Sequence, residues 1–298
     1  MIPRPVVAGL DGSRESLAAA DWAAREALRR QLPLRLVHAW EGLPPDADED
    51  RPERRAPQYY ARRTLRKAVD QLSERYPQLY LAAEQVRRPP GAALLAEAGN
   101  AELLVIGSQG LSGVGGFLTG SVASATAAHV ERPVVLVRAG ETEEDEHLPD
   151  ALGKPSTGTP CRDVAVAVDT GGACDDVLEF AFRAAELRHA PLRVVRAWHV
   201  PLSQGLADPG ERTRFKLEAE HELASFVDPW RRKFPGVYVT ETLHESRATH
   251  VLVRAVQGAG LLVIGRRRRH GPVGPHTGPV AHALIHHVGR PVVLVPHE

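Results

Sequence analysis

Short apolar runs alternate with longer helical patterns along this chain. The first apolar run, at residues 5–10, lacks period-two alternation, which is typical of a strand buried on both faces. Five such runs in the first half are predicted to be strands. They cover residues 5–10, 34–40, 79–86, 103–106 and 134–137. The segments between them with helical spacing cover residues 13–30, 59–76, 90–99 and 120–130. Strands that alternate with helices predict an α/β fold, with helices on both faces of a parallel sheet.

The whole pattern occurs twice. Matching residues in the two halves lie 158 positions apart, as Asp11 does from Asp169. Chance similarity between apolar segments would not keep one offset from the first strand to the last, so the sequence predicts a tandem duplication. The other matched pairs include Trp40 and Trp198, Gly107 and Gly265, and Arg132 and Arg290.

The segment between the two copies has a different composition. Residues 141–146 read Glu-Thr-Glu-Glu-Asp-Glu, and residues rich in Pro, Gly, Ser and Thr follow. Because such a composition buries little apolar surface, we expect a mobile spacer here. The chain is accordingly divided into a first domain at 1–138, a linker at 139–161 and a second domain at 162–298.

Charge and cysteine content narrow the classes of function. Lys and Arg together number 37, as do Asp and Glu, so neither nucleic-acid nor membrane binding is expected. With no apolar run of membrane-spanning length and no signal-peptide pattern, we expect a cytoplasmic protein. Cys161 and Cys174 form no Cys-x-x-Cys pair, which argues against structural zinc. His282 and His286 lie one helical turn apart without a third ligand at suitable spacing, so no metal site is predicted.

A glycine-rich loop follows the fourth strand of the first copy. It begins with Gly107-Ser108-Gln109-Gly110 and, after nine residues, reaches Gly120-Ser121 at the start of a helix. Glycine lets backbone N–H groups approach phosphate oxygens closely. The free N–H groups and the positive dipole end of the helix also favour an anion. The loop therefore predicts a phosphate-binding site.

Two further residues stand at strand ends where a nucleoside would lie. Asp11 ends the first strand and is placed to accept hydrogen bonds from ribose hydroxyls or an adenine amine. Ala39 ends the second strand and leaves room for a ring. The loop is neither a Walker A loop nor a dinucleotide-binding fingerprint. From the residues alone, a flexible turn before a Gly/Ser helix start stays open as an alternative.

At these residues the sequence resembles the universal stress protein family, in the tandem-domain form found in actinobacteria. ATP-binding members of that family carry Gly-x2-Gly-x9-Gly-Ser/Thr, which this loop matches without gaps. The resemblance implies two open parallel five-stranded sheets of order 3-2-1-4-5, of the adenine nucleotide alpha hydrolase-like class. It also implies ATP as ligand, with or without Mg²⁺. The implied binding residues are Asp11, Ala39, Gly107, Ser108, Gly110, Gly120, Ser121 and Val122.

The resemblance also bears on assembly. Domains of this family pair through their last strands, so residues 134–137 and 292–295 are expected to pair within one chain, and a homodimer is a further expectation. Such pairing would cover two exposed strand edges.

The second copy departs from the motif at two positions. Arg268 replaces the glycine equivalent to Gly110, and Pro279 replaces the serine equivalent to Ser121. A side chain hinders close backbone approach, and proline removes an N–H donor. We therefore hypothesise that only the first copy binds ATP in the family manner. The arginine run at 266–269 is interpreted as a solvated basic loop or as an alternative phosphate contact.

The sequence thus predicts an ATP-binding protein of the stress response rather than a dedicated enzyme. No nucleophile–base pair and no cluster of metal-binding carboxylates accompanies the loop. Two alternatives stay open. One is a slow ATPase or nucleotidyl transferase on the same fold, and the other is a dimerisation module that binds no nucleotide.

Overall fold

The computed structural model of the chain describes residues 3–41, 52–108, 121–172, 174–198, 209–245, 248–268 and 278–298. The chain divides into two units, Met1–Thr142 and Glu143–Glu298. No helix in these described ranges combines the length and the apolar character needed to cross a membrane.

The first unit contains five parallel strands joined by helices. Within this unit the strands are ordered β3-β2-β1-β4-β5, as predicted. The strands are β1 (Val6–Gly9), β2 (Leu34–Trp40), β3 (Leu81–Arg87), β4 (Leu103–Ser108) and β5 (Val134–Arg138). The helices are α1 (Arg14–Arg30), α2 (Pro52–Arg75), α3 (Pro90–Gly99) and α4 (Ser121–His129).

The core of the first unit lies on both faces of β1 and β4. Val6, Leu103 and Leu104 are fully buried, which explains why these strands read as continuous apolar runs. Helices α1 and α2 contact each other, and so do α3 and α4. Helix α1 packs on β1, β4 and β5, while α3 packs on β1 and β2. The strand order reverses between β2 and β4, with β1 at the centre, and this is where a ligand site is expected.

The second unit repeats the arrangement. Its order is β8-β7-β6-β9-β10, again all parallel. The strands are β6 (Val164–Ala167), β7 (Leu192–Trp198), β8 (Val239–Glu245), β9 (Leu261–Arg267) and β10 (Val292–His297). The helices are α5 (Asp175–Leu187), α6 (Pro209–Lys233), α7 (Ala248–Ala255) and α8 (Pro279–His287). The duplication extends to backbone detail, because Gln31 and His189, at equivalent positions, both have a positive φ.

The segment expected to be a mobile spacer is folded. A short 3₁₀ helix spans Glu144–Glu146, and His147 bridges Cys161 in an antiparallel pair. The side chain of Glu146 is 3% exposed. Composition missed this structure because the segment is held by backbone hydrogen bonds and turns rather than by apolar side chains.

Candidate functional site

A cavity of about 260 Å³ lies at the carboxyl ends of β1, β2 and β4 in the first unit. Much of its wall is apolar, with Val37 and Ala39 from β2, Leu94 from α3 and Ile106 from β4. Val37 and Ala39 alternate along β2 and so point to the same face of the sheet. A mostly apolar cavity with a few polar groups at one side is typical of small-molecule sites.

The polar side of the cavity is formed by the turn between β1 and α1. Ser13 caps α1, because its Oγ accepts a hydrogen bond from the backbone N–H of Ser16 (3.1 Å). The Asp11 carboxylate accepts hydrogen bonds from the Ser13 backbone N–H (2.9 Å) and from Ser13 Oγ (2.5 Å). Gly12 makes this turn with a φ of 88°, a value that glycine adopts without steric cost.

The charge of Asp11 follows from these contacts. Desolvation tends to raise the pKa of its carboxyl group, but hydrogen bonds from the Ser13 side chain and backbone and from Ser16 outweigh it. The pKa is therefore held below its ordinary value. Asp11 stays ionised at neutral pH and presents an acceptor to a ligand hydroxyl or amine.

Gly107 is required by packing as well as by its place in the loop. A Cβ atom at this position would lie 2.6 Å from the backbone carbonyl carbon of Glu15 and 2.7 Å from the backbone nitrogen of Ser16. The first turn of α1 therefore rests directly on the end of β4. Sequence analysis assigned Gly107 to phosphate approach alone and missed this contact.

The first turn of α4 forms another side of the cavity. Val122 and Ala123 line it, and α4 begins at Ser121. Unpaired N–H groups at the start of a helix favour an anion. Gly110 and Gly120 lie outside the described residues, as does the side chain of Ser121.

The structure thus brings four of the predicted residues, Asp11, Ala39, Gly107 and Val122, to one cavity. Ser108 is not among the described residues that line it, and its side chain is 3% exposed. Sequence reasoning missed several other lining residues. Val37 could have been found from the sequence, because it lies two residues before Ala39 and so on the same face of β2. Leu94 of α3 could not, because its contact with the cavity depends on tertiary packing. The lining residues that were not among the predicted binding residues are Gly9, Leu10, Ser13, Glu15, Ser16, Val37, Pro90, Leu94, Ile106 and Ala123.

The equivalent turn of the second unit is built differently. Thr170 replaces Gly12 and does not adopt a positive φ. Helix α5 begins at Asp175, which is equivalent to Leu17, so the first turn of α1 has no counterpart. The Oγ1 of Thr170 instead donates a hydrogen bond to Glu222 (2.6 Å).

The strand end equivalent to Gly107 also has different neighbours. A Cβ atom at Gly265 would lie 2.7 Å from Nε2 of His297. The backbone N–H of Arg268 donates to the carbonyl oxygen of His297 (2.7 Å), and the Arg268 side chain is exposed. Helix α8 begins at Pro279, which supplies no N–H, and Gly278 before it makes no side-chain capping bond.

Comparison with known proteins identifies the family. The model of the universal stress protein family matches residues 3–138 and again residues 161–296. This chain belongs to the universal stress protein family. The two matches confirm both the resemblance seen in the motif residues and the tandem duplication.

Related universal stress proteins match over the full length. Universal stress protein Rv2005c of Mycobacterium tuberculosis is 30% identical over 306 residues, which cover 97% of this chain and 96% of that protein. The crystal structure of a universal stress protein from Archaeoglobus fulgidus has a TM-score of 0.66 and 13% identity, with 99% of each chain covered. That likeness shows the shared fold. A crystal structure of a universal stress protein in complex with cAMP is 29% identical to 47% of this chain and covers 100% of its own, with a TM-score of 0.39.

Proposed function

We propose that the first unit binds ATP in the cavity at the carboxyl ends of β1, β2 and β4, and that the protein acts in the stress response through this binding. One observation carries the proposal. Asp11, Ala39, Gly107 and Val122 were singled out from the sequence as nucleotide-binding residues, and all four line the same cavity. They come from three different strand ends and from one helix start.

Each side of the cavity suits one part of a nucleotide. An adenine ring would pack against Val37, Ala39 and Leu94, since apolar walls favour a flat ring. The ionised Asp11 would accept hydrogen bonds from ribose hydroxyls. Phosphates would lie toward the start of α4, where the helix dipole and free N–H groups favour negative charge. A bound Mg²⁺ would offset part of the phosphate charge.

Binding is proposed to regulate rather than to serve a dedicated reaction. The cavity is bounded by the β1–α1 turn, by α3 and by α4. A nucleotide that contacts all three stabilises the arrangement in which they are close together. Such a ligand shifts a conformational equilibrium by its difference in affinity for the two states.

The duplication supplies a matched control for the binding test. Titration calorimetry with ATP is run on the wild type, on Asp11→Ala and on Asp169→Ala, with and without Mg²⁺. We expect one site per chain, a loss of about tenfold or more in affinity for Asp11→Ala, and no change for Asp169→Ala. Two equal sites, or the same effect from both variants, would overturn the proposal.

A second pair of variants tests the base-binding wall. Ala39→Leu fills the space beside Val37, whereas Ala197→Leu makes the same change at the equivalent position of the second unit. Only Ala39→Leu is expected to lower affinity, and by a similar factor for ATP, ADP and cAMP, because all three share the adenine ring. A loss restricted to ATP would place the effect at the phosphates instead.

A further inference from the structure

The folded segment before β6 brings a histidine and a cysteine side by side. His147 and Cys161 are directly opposite each other in an antiparallel bridge. The hydrogen bonds from Leu148 N to Pro160 O (2.9 Å) and from Arg162 N to Glu146 O (2.8 Å) hold this hairpin in register. The two side chains are therefore fixed by backbone pairing rather than by chance proximity.

The hydrogen bonds of His147 determine which ring nitrogen faces the thiol. His147 Nδ1 lies 2.5 Å from the carbonyl oxygen of Thr159. A carbonyl oxygen only accepts, so Nδ1 carries the proton that it donates. In the neutral ring, Nε2 is then the nitrogen with the free electron pair, and it lies 3.9 Å from Cys161 Sγ. A nucleophile, a base and a group that orients the base are thus connected by successive contacts, as in activated thiols elsewhere.

The two cysteines of the chain contrast sharply. Cys174 is 6% exposed, its Sγ donates to the carbonyl oxygen of Asp169 (3.4 Å), and burial raises the pKa of its thiol. Cys161 is partly exposed and faces an imidazole. A reactive thiol needs both access and a basic or cationic neighbour, and only Cys161 combines the two.

We propose that Cys161 is a modification site that exchanges with low-molecular-weight disulfides, with His147 as its base. The thiol proton passes to His147 Nε2, and the thiolate attacks one sulfur of the disulfide. A new S–S bond forms to Cys161 while the original S–S bond breaks. The electron pair leaves on the second sulfur, which takes the proton from the imidazolium. Cys161 ends as a mixed disulfide, and the other half of the reagent leaves as a thiol.

Charged residues lie next to the pair. Glu146 and Arg162 adjoin His147 and Cys161 in the chain, and the Glu146 side chain is buried. Two ion pairs hold the same region within the second unit. They are Asp145 with Arg290 (2.6 Å) and Asp163 with Arg193 (2.5 Å). Because these four side chains are engaged in ion pairs, the exchange rate is expected to follow the thiol–imidazole pair.

The test uses the full-length chain and the uncharged reagent 2,2′-dithiodipyridine. Cys174→Ser leaves Cys161 as the only thiol, and serine already occupies the equivalent position, Ser16, in the first copy. The rate at pH 6.5 is divided by the rate at pH 9.5, which lies above the ordinary pKa of a cysteine thiol, so that differences in access cancel. We expect this ratio to fall roughly threefold to tenfold when His147→Gln is added.

Two further measurements make the outcome decisive. Cys161→Ser, which keeps only Cys174, is expected to react at least tenfold more slowly than Cys174→Ser at pH 7. Incubation of the wild type with oxidised glutathione should add one glutathionyl group, located at Cys161 by mass spectrometry. The proposal is overturned if the Cys174→Ser protein titrates as an ordinary thiol near pH 8.5, if His147→Gln leaves the ratio unchanged, or if Cys174 is the residue modified.

Discussion

The two units keep the same ion pairs on their first helices and differ at the carboxyl ends of their strands. In α1, Asp21 pairs with Arg25 one turn away, and in α5, Glu179 pairs with Arg183 at the equivalent positions. Both units also keep the strand order and the left-handed residue after the first helix. The fold therefore tolerates large changes at the strand ends, which is where function is placed in sheets of this type.

The difference at the strand ends begins with one turn. Gly12 has a positive φ and lets the chain enter α1 early, whereas a threonine stands in the second unit and the helix begins later. In the second unit, side chains beside that turn are joined by hydrogen bonds. Where the first unit has Gly12, His38 and Thr64, the second has Thr170, Arg196 and Glu222, and the Glu222 carboxylate accepts hydrogen bonds from the other two side chains. Polar side chains are thus joined beside the turn of the second unit, whereas the turn of the first unit contributes Asp11 and Ser13 to a ligand-sized cavity.

The largest expected effect comes from adding one methyl group at Gly107. The new Cβ atom of Gly107→Ala would meet the backbone of Glu15 and Ser16 at 2.6 and 2.7 Å, so α1 would have to move. We expect a loss of about 2 to 4 kcal/mol in the unfolding free energy of the first unit. Urea denaturation with hydrogen exchange read separately in each unit measures it.

The equivalent change in the second unit is the control. In Gly265→Ala the closest atoms are Nε2 and Cδ2 at the far end of the His297 ring, which can shift more easily than the backbone that faces Gly107. The expected loss is about 1 kcal/mol, and it should shrink further when His297→Ala is already present. Equal losses at Gly107 and Gly265 would show that the first turn of α1 is not the rigid neighbour described here.

Much of the architecture could be predicted because it is encoded in local patterns. Each strand of the first unit coincides with a predicted apolar run, and the constant offset of 158 residues predicted the second unit. Helix α2 begins at Pro52 rather than near residue 59, because the stretch before Tyr59 is polar and lacks the apolar spacing from which the helix was predicted. The folded hairpin at 144–162 was missed because backbone pairing leaves no trace in hydropathy.

The site was predictable only in part, because some lining residues reach the cavity through tertiary packing. Asp11, Ala39 and Gly107 stand at strand ends that can be located from sequence, and strand ends of a parallel sheet meet at one edge. Leu94 reaches the cavity from α3, and its contact depends on how that helix packs on β1 and β2. Glu15 lines the cavity because Gly107 allows α1 to approach, which requires knowing both partners.

A smaller effect is expected at high pH, where the two units differ by one hydroxyl group. Tyr76 donates a hydrogen bond to Asp21 (3.0 Å), and burial, together with the Asp21 charge, raises its pKa to about 12. Phe234 occupies the equivalent position and stacks on Phe182 with ring centroids 5.3 Å apart. Only the first unit therefore has a phenol at this place.

The direction in which stability changes with pH follows from the raised pKa of Tyr76. Unfolded chains lose the tyrosine proton near pH 10, while the folded unit keeps it to about 12, so this contribution to stability is complete below pH 10 and is lost as pH rises through 12. We expect the wild type to lose between about 1 and 2 kcal/mol more than Tyr76→Phe between pH 9 and pH 12. Denaturation across this range measures the difference, and the loss should appear in the first unit alone. Parallel curves for the two proteins would contradict the assignment.

The smallest effect on stability tests whether the capping residue or the turn before it decides where the helix begins. Ser13→Ala removes the acceptor for Ser16 N–H and a hydrogen bond to Asp11, so a loss of about 1 kcal/mol is expected at pH 7. The depressed pKa of Asp11 means that its share of stability is present at neutral pH and fades as the carboxylate is protonated, so the loss should shrink near pH 3.

Gly171→Ser places the same residue at the equivalent position of the second unit, but α5 begins only at Asp175 and offers no N–H to it. We therefore expect Gly171→Ser to change stability by less than about 0.5 kcal/mol in urea denaturation. A gain as large as the Ser13→Ala loss would mean that one side chain, rather than the turn made by Gly12, decides where the helix starts.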